Sequence, residues 1–355
     1  MATKVFVLGA GSMGGLLAHE LYRAFPKQIL PTLLMRNRTR LNHYNEDGAE
    51  ITVVRDQGGN INSHKLALPA AIKQNIIGDD KEIIENLVVS TKLYQTEAAL
   101  EPYIPHLSSK SNILLLQNGM GMASHLIDRY WPDFHERPSI FQAISTHGAY
   151  KPSPSVIHHV GHGALSISYI PKLVDLPSKK VEIPEFINLI LQTESLNASY
   201  LEYNQFILIQ MEKLVVNSCI NPLTAILDCF NGDLLYGAKV IPIMKRIIKE
   251  AIDVFFAEYR ILAEIPEAKT FLNEERLLQS VLSICKLTAQ NSSSMREDVK
   301  HLNPTEIDWI NGYLVKMGKK HRIATPFNKM MMNMVKNKLS IEKAVDNNSA
   351  NLIIE

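Results

Sequence analysis

Near its start the chain reads KVFVLGAGSMGGLLAHELY. A short apolar run ends at Leu8, three glycines follow at positions 9, 11 and 14, and a helical pattern begins at once. Gly-x-Gly-x-x-Gly between a strand and a helix constrains the fold more than any other feature. The first glycine permits a tight turn, the second lets a ligand approach the backbone, and the third lets the helix pack closely on the strand. The helix start also offers N–H groups and a favourable dipole to an anion. The pattern predicts a βαβ beginning and a parallel sheet. Gly9, Gly11, Ser12, Met13 and Gly14 are expected to cradle the pyrophosphate of a dinucleotide.

The rest of the first half agrees with that start. TLLMR at 32–36, ENLVVST at 85–91 and SNILLLQNG at 111–119 are apolar runs ending in polar or glycine residues, as buried parallel strands do. The helix TEAALEPYIP joins the last two. Gly48 to Asn60 reads as a hairpin or an irregular insertion, turning at Gly58-Gly59. SIFQAISTHG and VIHHVGHGALSISYIP predict further strands, EIPEFINLILQ a short amphipathic helix, and SLNASYLE a last strand. From about Asn204 helical periodicity takes over, at 204–229, 238–264, 274–291, 304–321 and 326–345. This change marks a domain boundary. We expect a dinucleotide-binding α/β domain at 1–202, a helical domain at 203–345, and a frayed tail at 346–355.

Composition narrows the function classes. Lys plus Arg is 37 and Asp plus Glu is 36, a balance that argues against a nucleic-acid surface. No apolar run approaches the ~20 residues of a membrane span, and no signal peptide precedes the first strand, so a cytoplasmic protein is expected. Cys219, Cys229 and Cys285 are too few and too scattered for a disulfide framework or a zinc site, and read as buried hydrophobes. His158, His159 and His162 lie in a β-like stretch without a matching acid and read as structural; no metal is expected. The methionines at 330–334 read as core filling.

Four places carry candidate chemistry. Lys213, Asn217, Asn221 and Thr224 share one helix face, flanked by Leu214, Val215, Val216, Cys219, Ile220 and Leu223. Polar groups in such surroundings are costly to bury without partners, so this face is expected to meet a polar ligand. At the second strand end, where sites for NAD usually place an acid, the chain reads MRNRTR. Arg36, with Arg38 and Arg40 behind it, suits a 2′-phosphate and hence NADPH. Asn118 and Lys92 stand at carboxyl ends of strands, where open α/β sheets bind ligands. In NSSSMREDVKHLNPTEIDWINGYL, Thr305 or Asn303 is expected to cap a helix with Glu306 in its first turn. Ser294 carries a milder signal.

These segments together resemble the ketopantoate 2-reductase family. The resemblance runs from about Lys4 to Met334, through GAGSMG, LLLQNGMG, STHGA, KLVVNSCINPLTAIL and SSMREDV…TEIDWINGYL. It implies a Rossmann domain followed by an all-α domain like the 6-phosphogluconate dehydrogenase C-terminal domain, with the site in the cleft between. It implies NADPH reduction of 2-dehydropantoate to pantoate, toward coenzyme A. Lys213 then falls on the general acid, and an ordinary lysine pKa of about 10.4 makes it a protonated donor. Asn217, Asn221 and Ser294 fall on substrate contacts, and Glu306 on the carboxylate that holds substrate. Asn118 and Lys92 fall at the cofactor–substrate junction, and Arg36 on a 2′-phosphate contact. The expected partner is a small 2-oxo acid, with room for a homodimer. The chain carries extra residues near 52–75, 128–140 and 262–275 relative to bacterial members. Two alternatives stand beside this reading. One is a reductase of another branched 2-oxo acid. The other is a non-enzymatic NADP-binding sensor or assembly protein.

Overall fold

The computed structural model describes residues 2–57, 60–76, 83–171 and 182–352. The chain divides into two compact units: Met1–Asn118 with Met122–Phe206, and Gly119–Gly121 with Ile207–Glu355.

The first unit begins β1 (Thr3–Leu8), α1 (Ser12–Ala24), β2 (Ile29–Leu34), α2 (Arg38–Glu46). Then come β3 (Glu50–Gln57), β4 (Asn60–Ala67), β5 (Ala70–Ala71), α3 (Lys73–Ile76), β6 (Asn86–Val89), α4 (Leu93–Leu100), β7 (Asn112–Leu116), α5 (Met122–Tyr130) and β8 (Ser139–Ser145). It ends with β9 (Gly148–Ser153), β10 (Val156–Gly161), β11 (Leu165–Tyr169), α6 (Glu185–Gln192) and β12 (Ala198–Tyr200). Eight strands form one sheet in the order β12-β11-β8-β7-β6-β1-β2-β5. β1 pairs in parallel with both β2 and β6, so the chain reverses its direction of winding there. The glycine loop leaves β1 at this switch point, where open sheets bind their ligands. Every residue of β6 is buried, which explains its unbroken apolar run.

The segment Glu50–Ala67 does form a hairpin; its tip at Gly58-Gly59 lies outside the described residues. The hairpin belongs to a second sheet, in the order β4-β3-β10-β9. α1 packs against this sheet as well as the first. Ile51, Val53 and Ile157 share a core with Leu16, Leu17 and Leu21. A Cβ on Gly15 would stand 2.7 Å from Ile157 Cδ1. Covered on both sides, α1 buries even His19 and Glu20. Burial opposes the Glu20 charge, but bonds from His19, Ser195 and Arg55 prevail and draw its pKa to about 2. Arg55 Nε donates to His159 Nδ1 at 3.0 Å, and His159 Nε2 meets His147 Nδ1 at 3.0 Å. His159 therefore has the structural place its sequence context suggests.

The second unit holds α7 (Tyr203–Leu227, its first turn counted with the first unit), α8 (Val240–Glu258), α9 (Ala268–Phe271) and α10 (Glu274–Leu287). They are followed by α11 (Ser294–Lys300), α12 (Asn311–His321) and α13 (Pro326–Leu352). Pro222 lies inside α7 and has no N–H for the carbonyl of Ser218. Asn311 supplies the missing donor, its Nδ2 reaching Ser218 O at 3.0 Å. The same amide donates to Asn328 Oδ1 at 3.0 Å, and Asn328 Nδ2 donates to Glu250 Oε2 at 2.8 Å. Glu250 also accepts from the backbone N–H groups of Phe327 and Asn328, capping α13. One polar chain thus ties α7, α12, α13 and α8.

Several expectations change. α13 continues through Asp346-Asn347-Asn348-Ser349 to Leu352, because a long helix propagates through weak formers once nucleated. Met331 is buried, but Met330 and Met334 are each 41% exposed, so the cluster fills core only in part. Cys219 and Cys285 are buried as expected, while Cys229 is only half-buried. Among the described residues, no helix is long and apolar enough to cross a membrane.

Replacing Asn311 with Ala should strand the Ser218 carbonyl and the Asn328 amide. We expect a loss of about 2–4 kcal/mol in urea unfolding, from two buried groups left unpaired. A change below about 0.5 kcal/mol would mean that water or a shifted side chain replaces the bond.

Candidate active site

The glycines of the first unit divide their work as the spacing implies. Gly9 has φ +108°, and a Cβ there would stand 2.7 Å from Ser90 C and Thr91 N. Gly14 leaves no room either, since a Cβ would collide with Ser90 Oγ and the Gly9 carbonyl. Gly11 is the opposite case: a Cβ there would meet nothing within 4 Å. Two glycines are therefore fixed by packing, and the third faces open space, which suits a close approach by pyrophosphate. Ser90 Oγ donates to Gly9 O at 2.7 Å and pins the turn. Ser12 and Met13 open α1, both partly exposed.

Arg36 stands just beyond β2 and is exposed. Asn37 caps α2, its Oδ1 accepting from Arg40 N at 3.0 Å, so Arg38 and Arg40 ride on the first turn. Lys92 occupies the N-terminal cap of α4. Asn118 is exposed, two residues past β7. Its neighbour Gln117 escaped notice in the sequence, where it reads as the tail of an apolar run. Its Nε2 donates to Thr91 O at 2.7 Å and to Thr96 Oγ1 at 2.6 Å, bracing the ends of β6 and β7. This set fits a phosphorylated dinucleotide: an open cradle at a helix start, with arginines beside it.

In the second unit, α7 holds Lys213, Asn217 and Asn221 on one face. Lys213 and Asn217 are largely covered and Asn221 is buried. Burial pulls the Lys213 ammonium down to about 8, against the opposing pull of Glu306. The ordinary lysine value expected from sequence is therefore corrected by desolvation. Glu306 is itself buried, 6% exposed. It does not lie in the first turn of an α-helix. Asn303 and Thr305 do not start one; a short 3-10 turn at Ile307–Trp309 comes first, and α12 begins only at Asn311. Glu306 thus immediately precedes that turn, near enough for its charge to act on Lys213.

Two further positions separate here. Thr224 turns its hydroxyl to Ser293 Oγ at 2.7 Å, so its place on the stripe serves packing. Ser293 is the buried cap of α11, while the neighbouring Ser294 is exposed at the first helical position. The structure therefore brings Lys213 and Glu306 together and places Asn217 and Asn221 on the lysine's face. It gives Ser294 an exposed place at the start of α11. Such a set can hold a polar, anionic substrate and move one proton.

The comparisons with known proteins identify the family. The family model described as ketopantoate reductase PanE/ApbA matches residues 5–172, and its C-terminal counterpart matches 205–339. A probable 2-dehydropantoate 2-reductase of Schizosaccharomyces pombe is 37% identical over 347 residues, 97% of this chain and 98% of the relative. The 2-dehydropantoate 2-reductase of Saccharomyces cerevisiae is 31% identical over 344 residues, 89% of this chain and 88% of the relative. A crystal structure of the probable enzyme from Bacillus subtilis is 28% identical, with TM-score 0.70, covering 94% of this chain and 99% of that one. The two matched spans coincide with the α/β part and the helical part described above, and the chain belongs to the ketopantoate reductase family.

Proposed function

We propose that the protein reduces 2-dehydropantoate to pantoate with NADPH, and that Lys213 is the proton donor. The observation that carries this reading is a largely covered lysine on α7, its ammonium desolvated and its pKa brought to about 8, with a buried carboxylate acting on it. A structural lysine gains nothing from such a place, since desolvation of the ammonium is costly. A general acid gains a pKa near the working pH.

When bound, the cofactor supplies the hydride; Gly11, the start of α1 and Arg36 would hold it, with Lys92 and Asn118 near the reacting end. The chain's own residues do the rest. Lys213 donates a hydrogen bond to the C2 ketone oxygen and gives up its proton as negative charge develops there. Asn217 and Asn221 orient the ketone and the ammonium. Glu306 accepts from the substrate's distal hydroxyl, and Ser294 meets its carboxylate. Orientation of this kind contributes several kcal/mol to rate enhancement. The reading includes a homodimer in the cytoplasm, to be checked by light scattering and cell fractionation.

The test is NADPH oxidation, followed at 340 nm, against a panel of 2-oxo acids that includes 2-dehydropantoate. Highest efficiency on 2-dehydropantoate is expected. Preference for another 2-oxo acid, or stoichiometric NADPH binding without turnover on any of them, contradicts the reading.

Lys213→Ala should lower turnover by about 100-fold or more. In the wild type the donor must be protonated. Its affinity for the proton is lowered in the folded enzyme to about 8, so reduction should run fully below that pH and decline as pH rises through it. A flat profile up to pH 10 would remove Lys213 as the acid.

Glu306→Ala should forfeit a charge-assisted hydrogen bond, reducing efficiency on 2-dehydropantoate by about 10- to 150-fold. With 2-oxoisovalerate, which lacks the distal hydroxyl, the wild type should already be poor and the variant little worse. If the ratio of efficiencies for the two substrates stays constant, Glu306 does not read the hydroxyl.

A further inference from the structure

Lys151 on β9 is absorbed by nothing above. Its Nζ donates to the carbonyl of Ala10 at 2.7 Å, so a lysine of the second sheet grips the glycine loop from the side. Ala10 lies between Gly9, whose position is fixed by packing, and Gly11, which faces open space. The ammonium carries three donors, and one is spent on that carbonyl. Burial, and after it the Arg40 guanidinium from the first turn of α2, together lower its pKa to about 8. The neighbouring elements supply charges that are engaged elsewhere. His158 on β10 meets the Tyr150 hydroxyl, His159 accepts from Arg55, and His19 and Glu20 on α1 meet each other. Two cations therefore lie close enough to repel, at the loop that follows β1. Such an arrangement is stable only weakly by itself and becomes favourable when an anion sits between them.

We propose that Lys151 is a specificity-determining residue that, with Arg40, binds the 2′-phosphate of NADPH. The pyrophosphate is the weaker assignment, because the start of α1 already offers it backbone N–H groups. Arg40 follows the end of β2, the part of this fold that faces the adenosine ribose. In the sequence Lys151 lies in a β-strand far from the glycines and gives no sign of this. The inference rests on NADPH being the cofactor.

The test is calorimetric binding of NADP+ and NAD+ to the whole protein, without substrate. In the wild type, NADP+ should bind tighter than NAD+, and more weakly as pH rises through about 8. Lys151→Ala should weaken NADP+ by about 10-fold or more and change NAD+ by less than about 3-fold. Lys151→Arg should retain NADP+ affinity and lose the decline above pH 8, because its charge persists. Lys151→Gln keeps a donor for Ala10 without the charge and should resemble Lys151→Ala. Equal weakening of NADP+ and NAD+ would make Lys151 a brace for the loop or a pyrophosphate contact, and would overturn the proposal. So would an undiminished pH dependence in Lys151→Arg. Wild-type preference for NAD+ would overturn the cofactor reading itself, a result separate from either.

Discussion

An ammonium group is expensive to take out of water, and the second unit is organised around one. Burial lowers the Lys213 pKa to about 8, and Glu306 opposes that shift. That balance holds only if α7 is fixed, and α7 contains a proline that removes one of its own hydrogen bonds. Asn311 restores the bond from α12, and through Asn328 and Glu250 the repair extends to α13 and α8. The helix that carries Lys213 is thus anchored by the same residue that mends it.

The first unit solves a related problem with different parts. Its loop needs backbone that can approach a phosphate, so Gly11 faces open space while Gly9 and Gly14 are locked against Ser90. Lys151 meets this loop much as Lys213 meets its carboxylate. Burial brings each of them to about 8. Each is a cation that burial disfavours, and an arriving anionic group would favour its charged form. In the proposed roles, that group is a phosphate for Lys151 and the developing oxyanion for Lys213. Binding energy is then realised where it is useful.

What could be read from the sequence follows the range of the interactions. The glycine loop, the buried parallel strands and the long helices depend on local pattern, and they appear where the pattern puts them. The lysine and amides on α7 were legible because helical spacing is local too. The second sheet was not, because β3 pairs with β10 across about a hundred residues. Separations of 104 and 141 residues likewise hide the Arg55–His159 bond and the reach of Lys151 to Ala10. Glu306 stands out by its neighbourhood in sequence, but its local structure differs from the helix start that the pattern predicts. The chain there makes a 3-10 turn before α12, and a capping pattern alone does not tell the two apart. Ser293 and Ser294 are adjacent, and only the packing of Thr224 distinguishes the buried one.

The central claim is that burial makes Lys213 a proton donor tuned to neutral pH. Its titration can be observed directly, by carbon-13 NMR of the lysine side-chain Cε, with the signal assigned by its absence in Lys213→Met. The account predicts a midpoint near 8 in the free protein. A midpoint near the ordinary lysine value of about 10.4 would contradict it.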